Sequence, residues 1–220
     1  MIRALGLSTI AALLHVATLG LLTACASPQG AVRDDEYASP NRMFLVRIPE
    51  PLNRFGVRYT ITPLDTKGDS QYDKVMFHVA DFGTYLVASA RRMPAVSVPL
   101  MDKDDHRTVL QNVSRASLMA WRTDLEATAE IVRESFVDSQ YGEAIVRVYL
   151  VKKGSLLVRA QGRRPTREDA FDTNIASVVA RQGLVVVYVL AENDTSPNDT
   201  GALVKMAIDF FREMKVPSVR

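Results

Sequence analysis

The chain has 220 residues, and its 27 lysines and arginines against 25 aspartates and glutamates give a formal net charge of +2. A charge this small gives no reason to expect a nucleic-acid partner or a surface dedicated to anions. The sequence contains a single cysteine, which excludes a disulfide within the chain. Its stability must therefore come from a hydrophobic core, and a chain of this length can form one.

Residues 1–24 have the composition of a secretory signal peptide rather than of a folded element. Arg3 is positively charged, residues 4–22 are largely apolar, and small residues stand just before Cys25. The apolar run is close to the roughly 20 residues that span a bilayer, so an uncleaved anchor helix is the alternative. Ser8 and His15 interrupt the run, and we therefore predict a cleaved signal peptide.

The four residues Leu22, Thr23, Ala24 and Cys25 resemble the lipobox of bacterial lipoproteins. The resemblance implies a diacylglyceryl thioether on the Cys25 sulfur, cleavage before Cys25, and a further acyl chain on the new amino group. Ala26 follows the cysteine instead of the aspartate that holds such proteins at the inner membrane. The resemblance therefore implies an outer-membrane lipoprotein whose domain faces the periplasm.

Residues 25–40 are predicted to be the lipidated cysteine and a flexible tether. They contain prolines, a glycine and an acidic triplet, and they show no apolar periodicity. A coil of this length has an r.m.s. reach of about 20 Å, which would leave the domain close to the membrane without pressing it onto the surface. We expect residues 41–220 to form one periplasmic α+β domain.

Strand patterns dominate the first part of this domain. Residues 43–48 form a short apolar run, and residues 55–62 alternate between apolar and polar side chains. Two apolar runs, over residues 75–80 and 84–90, predict a hairpin. The period then changes, and residues 104–128 show a helical stripe that includes Trp121.

The second part alternates strands, turns and helices. Strands are predicted over residues 129–137, 144–151, 156–160 and 184–190. Thr166 has the sequence context of a helix cap, and Ile175 and Val179 follow at helical spacing, although residues 175–180 also fit a strand. A polar loop over residues 192–200 leads to a closing helix whose apolar stripe contains Phe210 and Phe211.

These elements predict an α+β fold, with an antiparallel sheet of about five to seven strands and two or three helices packed on it. The order of hairpin, helix, meander and terminal helix, over about residues 43–215, resembles that of the PsbP-like α-β-α sandwiches. That family includes many exported lipoproteins, so the resemblance is consistent with the lipobox.

Four candidate metal ligands lie within five residues: Asp102, Asp104, Asp105 and His106. Their oxygen and nitrogen atoms could bind a divalent cation. The calcium-loop pattern is missing, because there is no turn glycine and no closing glutamate. An acidic helix N-terminus, which the helix dipole favours, explains the same residues without a metal.

A second candidate binding cluster consists of Arg163, Arg164 and Arg167, which could bind the phosphate of a lipid or of peptidoglycan. Solvated arginines in loops are the alternative. For a hydrolase, the candidates are His78 and Ser70, since Gly68-Asp69-Ser70 resembles the opening of GDSL-type esterases. The accompanying Asp-x-x-His is absent, so we predict a turn there and no catalytic residue.

The sequence therefore predicts a lipid-anchored envelope lipoprotein that is a non-catalytic binding or assembly component and uses no cofactor. Its expected partners are the membrane, through the lipid, and an envelope protein. The alternatives are a periplasmic hydrolase with an unrecognised site and a carrier of apolar ligands. A pocket in which His78 and nucleophilic side chains converge would favour the hydrolase. A large dry cavity would favour the carrier. An exposed apolar patch or an uncovered strand edge would favour an assembly role.

Overall fold

The computed structural model describes residues 30–48, 57–64, 66, 68–80, 83–94, 105–119, 129–151, 173–193 and 199–217. These residues form two sheets and two helices. In chain order the elements are β1 (Ala31–Arg33), β2 (Glu36–Ala38), β3 (Leu45–Arg47), β4 (Tyr59–Pro63), β5 (Tyr72–Val79), β6 (Thr84–Arg92), α1 (His106–Met119), β7 (Ala129–Ser139), β8 (Gly142–Val151), β9 (Thr173–Gln182), β10 (Val185–Asn193), α2 (Thr200–Glu213) and β11 (Met214–Lys215).

The main sheet is antiparallel and has the order β4-β5-β6-β10-β9-β8-β7 among the described strands. The predicted hairpin is confirmed as β5–β6, and the strands predicted over residues 129–137 and 144–151 pair with each other as β7 and β8. Gly142, at the start of β8, has a φ of 93°, a conformation that glycine adopts without steric cost. With helices packed on this sheet, the fold is α+β, as predicted.

Helix α2 covers one face of the main sheet through the predicted apolar stripe. The Asp199 carboxylate caps the helix by accepting a hydrogen bond from the N–H of Ala202 at 2.9 Å. Phe210 and Phe211 are both buried, and the Phe210 ring packs edge-on against Phe77 of β5, with centroids 5.4 Å apart. Because burying one such side chain contributes about 1.5 to 3 kcal/mol, this stripe holds α2 on the sheet.

Helix α1 covers the opposite face. Its Leu110 and Leu118 are buried in a second apolar cluster with Ile145 and Val179 of the sheet. The predicted helix over residues 104–128 is present as His106–Met119, and Trp121 lies outside the described residues. Neither α1 nor α2 combines the length and apolar character that a membrane-crossing helix needs.

The prediction that a helix capped by Thr166 continues through Ile175 and Val179 is wrong from residue 173 onward. Both residues lie in β9, where residues 173–180 are all buried. Because both faces of this central strand are covered, its apolar residues do not alternate, and their spacing imitates a helix. The strand alternative over residues 175–180 is correct. Thr166 and the predicted strand over residues 156–160 are outside the described part of the chain.

A small second sheet, with the order β1-β2-β3-β11, packs on the same side as α2. The predicted tether over residues 25–40 is therefore wrong from residue 31 onward, since β1 and β2 belong to this sheet. Asp34 and Asp35 form the two-residue turn between them, with φ of 49° and 61°, as in a type I′ hairpin. Strands of three residues are too short for an alternating pattern to be visible in the sequence.

Tyr37 of β2 fixes this N-terminal segment to the core. Its side chain is 1% exposed, and its ring packs against Phe77 and Phe44, with centroid distances of 5.5 Å and 6.4 Å. A Cβ atom on Gly30 would collide with the phenol ring, so the chain needs glycine at this point. Burial raises the pKa of the Tyr37 hydroxyl, and the negative charge of Asp73 raises it further. The phenol therefore stays neutral.

The carboxylate of Asp73, a buried residue of β5, binds the loop that joins β2 to β3. Its Oδ2 accepts hydrogen bonds from Ser39 Oγ at 2.6 Å and from the N–H of Asn41 at 2.9 Å. The N–H of Met43 also donates to Oδ2, at 3.2 Å, and the Asn41 side-chain amide donates to Oδ1 at 2.8 Å. One carboxylate thus supplies the acceptors for four donors of this loop.

We expect Asp73→Ala to lower the free energy of unfolding by about 3 kcal/mol or more, because hydrogen bonds to a charged group contribute about 1.5 to 3 kcal/mol each. The matched control is Asp69→Ala. Asp69 lies in the turn before β5, where its carboxylate accepts from the N–H of Gln71, an exposed contact that should contribute less than about 1 kcal/mol. Urea titrations followed by circular dichroism measure both changes, and equal effects would contradict the assigned role of Asp73.

Candidate functional site

Helix α1 begins at the predicted metal cluster, and the described part of that cluster is a helix cap. The Asp105 carboxylate accepts a hydrogen bond from the N–H of Arg107 at 3.1 Å, as the alternative reading of the sequence expects. His106 is exposed at the first position of α1, and Asp102 and Asp104 lie outside the described residues. Within the described ranges, no three His, Cys, Asp or Glu side chains converge as metal ligands would.

At its first turn, α1 is attached to β8 by an exposed ion pair. Arg107 donates to both carboxylate oxygens of Glu143, with Nη2 to Oε1 at 2.7 Å and Nε to Oε2 at 3.2 Å. Its guanidinium carbon lies 4.6 Å from the ring centroid of Phe136 on β7, within the range of a cation–π contact. Arg107 therefore connects the helix to β7 and β8, the last two strands at this end of the sheet.

The next two turns of α1 make polar contacts that are largely buried. The Arg147 side chain of β8 is 6% exposed and donates to the Glu134 carboxylate at 2.7 Å and to the backbone carbonyl of Gln111 at 2.9 Å. The Gln111 amide in turn donates to Glu134 at 2.7 Å. One turn further, the hydroxyls of Ser114 and Tyr149 share a hydrogen bond of 2.9 Å. The buried arginine is tolerated because it is paired and hydrogen-bonded.

A groove of about 410 Å³ lies between α1 and the strands β7 and β8, beyond these contacts. Its described lining is Gln111, Asn112, Arg115, Leu118, Ala129, Ile131, Arg147 and Tyr149. This lining combines apolar side chains, amides and two arginines, and it includes no carboxylate among the described residues. A surface of this kind suits a ligand that has both an apolar and a polar group.

Strand β7 borders the groove and is the outer strand of the main sheet in the described structure. Its register against β8 shifts between Ile131 and Arg133, which leaves Val132 as the extra residue of a β-bulge. Ile131 and Val132 are 48% and 51% exposed. Two adjacent apolar side chains are thus presented to solvent next to a groove, on a strand that has no partner on its outer side among the described strands.

The charges around the groove stabilise one another. Burial raises the pKa of the Glu134 carboxyl, but hydrogen bonds from Gln111 and Arg147 outweigh it and leave this pKa below its ordinary value. The hydrogen bond from Arg107 likewise lowers the pKa of the Glu143 carboxyl below its ordinary value. Both carboxylates are therefore ionised at neutral pH, and α1 is attached to the sheet by charge-assisted contacts.

Most of the other candidate residues from the sequence lie outside the part of the chain that the structure describes, and His78 is not in the described lining of the groove. Cys25, Arg163, Arg164 and Arg167 lie outside the described residues. His78 of β5 is half-buried and stacks on the ring of Tyr85, with centroids 4.2 Å apart, and burial lowers the pKa of its imidazole. No serine or carboxylate side chain of the described residues hydrogen-bonds this ring.

The predicted turn at Gly68-Asp69-Ser70 is confirmed. Gly68 has a φ of 74°, and the Asp69 carboxylate accepts from the N–H of Gln71 at 2.9 Å. A further cavity, of about 630 Å³, opens beside the small sheet, and its described lining is Gly30, Ala31, Arg33, Asp34, Glu36, Ala38, Ser39, Pro40, Arg42, Leu45 and Pro217.

No family model and no curated protein matches the chain. Among solved structures, the chain is similar to the solution structure of cyanobacterial PsbP (CyanoP) from Synechocystis sp. PCC 6803, with 13% sequence identity and a TM-score of 0.48. The match covers 86% of this chain and 99% of that chain. CyanoP is a PsbP protein, the class whose order of elements the sequence resembles. A similarity at this level transfers no function to this chain.

The sequence interpretation missed Arg147, Glu134 and the bulge, although signals for them exist. Arg147 interrupts an otherwise apolar run over residues 144–151, and a charge in such a strand indicates a buried partner. Ile131 and Val132 are adjacent, which breaks the alternation of a regular strand and indicates a bulge. Only the structure could assign Glu134 and Gln111 as the partners.

We expect acid to weaken the attachment of α1. A carboxylate whose pKa is lowered in the folded state stabilises the fold at pH values above its unfolded pKa, and this contribution disappears as the pH falls through the folded value. Glu134→Gln should lower the stability at pH 7 by about 1 to 3 kcal/mol and reduce the further loss between pH 5 and pH 3. Thermal unfolding at each pH measures this.

The matched control is Glu213→Gln, which neutralises an exposed carboxylate at the last position of α2. This variant should keep the pH dependence of the parent protein. If Glu134→Gln and the parent protein lose stability in parallel between pH 5 and pH 3, Glu134 does not hold α1 through its charge.

Proposed function

We propose that this protein is a lipid-anchored lipoprotein of the bacterial outer membrane, faces the periplasm, and acts as a non-catalytic binding or assembly component. The lipobox residues Leu22 to Cys25 support the anchor. The single observation that carries the binding role is the exposed pair Ile131 and Val132 on the outer strand, beside the groove under α1. An exposed apolar patch at a strand edge is the feature expected of an assembly surface.

The bulge determines how a partner would bind at this edge. A continuous ladder of backbone hydrogen bonds requires a regular register, and the extra residue Val132 interrupts it. A partner therefore cannot add a long strand across residues 130–133. It binds instead through side chains, with an apolar residue on Ile131 and Val132 and a neighbouring group in the groove.

The polar lining of the groove specifies the neighbouring group. Asn112 and Arg115 line the groove together with Arg147, whose charge is already paired with Glu134. A polar group of the partner that forms hydrogen bonds would be complementary to this lining. We thus propose a protein partner with a short segment in which a polar residue lies next to an apolar one.

The two alternative functions have less support. A hydrolase needs a nucleophile and a base in contact, and the His78 ring stacks on Tyr85 instead. A carrier of apolar ligands needs an apolar cavity, and both cavities described above have charged residues in their lining.

The anchor is tested by Cys25→Ser in the expressing bacterium. We expect this variant to lose incorporation of an alkyne fatty acid and to remain as unprocessed precursor in the inner membrane, because no other thiol can take the lipid. Ala26→Ser is the control and should be acylated normally. A Cys25→Ser variant that still labels and still fractionates with the outer membrane would show that the lipobox interpretation is wrong.

The partner site is tested by a photo-crosslinking residue at position 131. We expect a defined adduct in intact cells, and we expect Val132→Asp to reduce its yield roughly tenfold, equivalent to about 1.4 kcal/mol of binding free energy. Tyr59→Asp is the matched control, since Tyr59 is a 39% exposed side chain on β4, at the other edge of the sheet. An adduct that Tyr59→Asp reduces as strongly as Val132→Asp would contradict the proposed site.

A further inference from the structure

The outer face of the small sheet carries apolar and basic residues close to the point where the chain enters the domain. In the register of this sheet, Tyr37, Val46 and Met214 share the row that faces the core. The adjacent row, Ala31, Ala38, Leu45 and Lys215, therefore lies on the opposite, outer face. We call the entry face the surface formed by Ala31, Pro40, Arg42, Leu45, Lys215 and Pro217.

The charges of the small sheet are separated along its strands. Arg42, in the loop between β2 and β3, and Lys215 are exposed at the end where the chain enters. Asp34 and Asp35 form the turn at the other end of β1. The Lys215 ammonium pairs with Glu36 at 2.5 Å, but Arg42 makes the entry end positive relative to the turn. Anionic phosphate groups would therefore favour the entry end.

The distance along the chain to the proposed lipid is short. Gly30 lies five residues after Cys25, so the anchor is at most about 17 Å away. The headgroup layer of a bilayer is itself about 5 to 8 Å deep on each side. Because residues 31–38 are folded rather than part of a tether, the domain has little freedom to move away from the membrane.

We propose that the entry face rests on the phospholipid headgroups of the leaflet that holds the acyl chains. This inference rests on the proposed lipid anchor. Arg42 contacts the lipid phosphates, and Lys215 does so by exchanging its Glu36 partner for a phosphate. The apolar residues between them allow close approach.

This orientation also places the partner groove. Gln140, at the end of β7, donates a hydrogen bond to the carbonyl of Met214 at 3.3 Å, so this end of β7 lies next to the small sheet. Ile131 is nine residues from Gln140 along the chain, which corresponds to about 30 Å of strand. The exposed apolar pair on β7 therefore lies about 30 Å along the strand from the end that contacts the small sheet.

The test uses the full, acylated protein reconstituted in vesicles of phosphatidylethanolamine and phosphatidylglycerol that contain a headgroup-nitroxide lipid. Because the one natural cysteine is acylated, a cysteine introduced by Pro217→Cys or Ile131→Cys is the only thiol for a fluorescent label. Pro217 is distant from Cys25 in sequence, so its proximity to the lipid does not follow from the anchor alone. We expect at least threefold stronger quenching of the label at residue 217 than at residue 131.

A charge reversal shows whether the entry face causes this difference. Arg42→Glu combined with Lys215→Glu should reduce the quenching at residue 217 at least twofold, and Arg133→Glu on β7 should leave it unchanged. Equal quenching at residues 217 and 131 in protein whose intact mass includes the acyl chains would overturn the entry-face proposal and leave the anchor intact. An intact mass without acyl chains would overturn the anchor, and the entry-face proposal with it.

Discussion

Both faces of the main sheet are apolar, and this requires two covering layers. Strands β8, β9 and β10 carry alternate side chains into two separate clusters, one under α2 and the small sheet, and one under α1. A sheet with both faces apolar is stable only when water is excluded from each of them. One covering layer combines elements from both ends of the described chain, since β1, β2 and β3 lie with α2 and β11 on one face, and the other layer is α1. The N-terminal residues 31–38 are therefore part of the fold rather than a connection to it.

Apolar contacts hold the layers together, but polar contacts determine where each layer lies. Hydrophobic burial has no directional preference, and a helix or hairpin on an apolar face could slide without much loss of buried area. Asp73 prevents this on one face by binding the loop between β2 and β3. Arg147 and Glu134 prevent it on the other face by binding Gln111 of α1. Each contact is buried enough to be costly to break and specific enough to fix a position.

Local patterns predicted much of this fold, and contacts between distant residues account for the rest. The closing helix was predictable because Phe210 and Phe211 recur in a broad stripe, and the hairpins because turn residues separate apolar runs. The strand β9 was ambiguous, because a strand buried on both faces has no alternation. The role of Tyr37 was hidden, since one aromatic in a polar segment gives no period. The groove depends on which side chains of α1 meet β7 and β8, and no spacing within the sequence determines that pairing.

The bulge at Val132 has a consequence for molecules that share a membrane. Proteins anchored in one leaflet diffuse in two dimensions, and their effective concentration toward one another is far higher than in free solution. At such a concentration, the outer strands of two copies would pair through their backbones and form a continuous sheet, and β7 with its eleven residues is long enough for this. Since the bulge interrupts the register within that strand, such a pairing would lose its hydrogen bonds where the apolar residues are. With the proposed lipid anchor, the same irregularity that exposes Ile131 and Val132 would thus protect neighbouring copies against joining edge to edge.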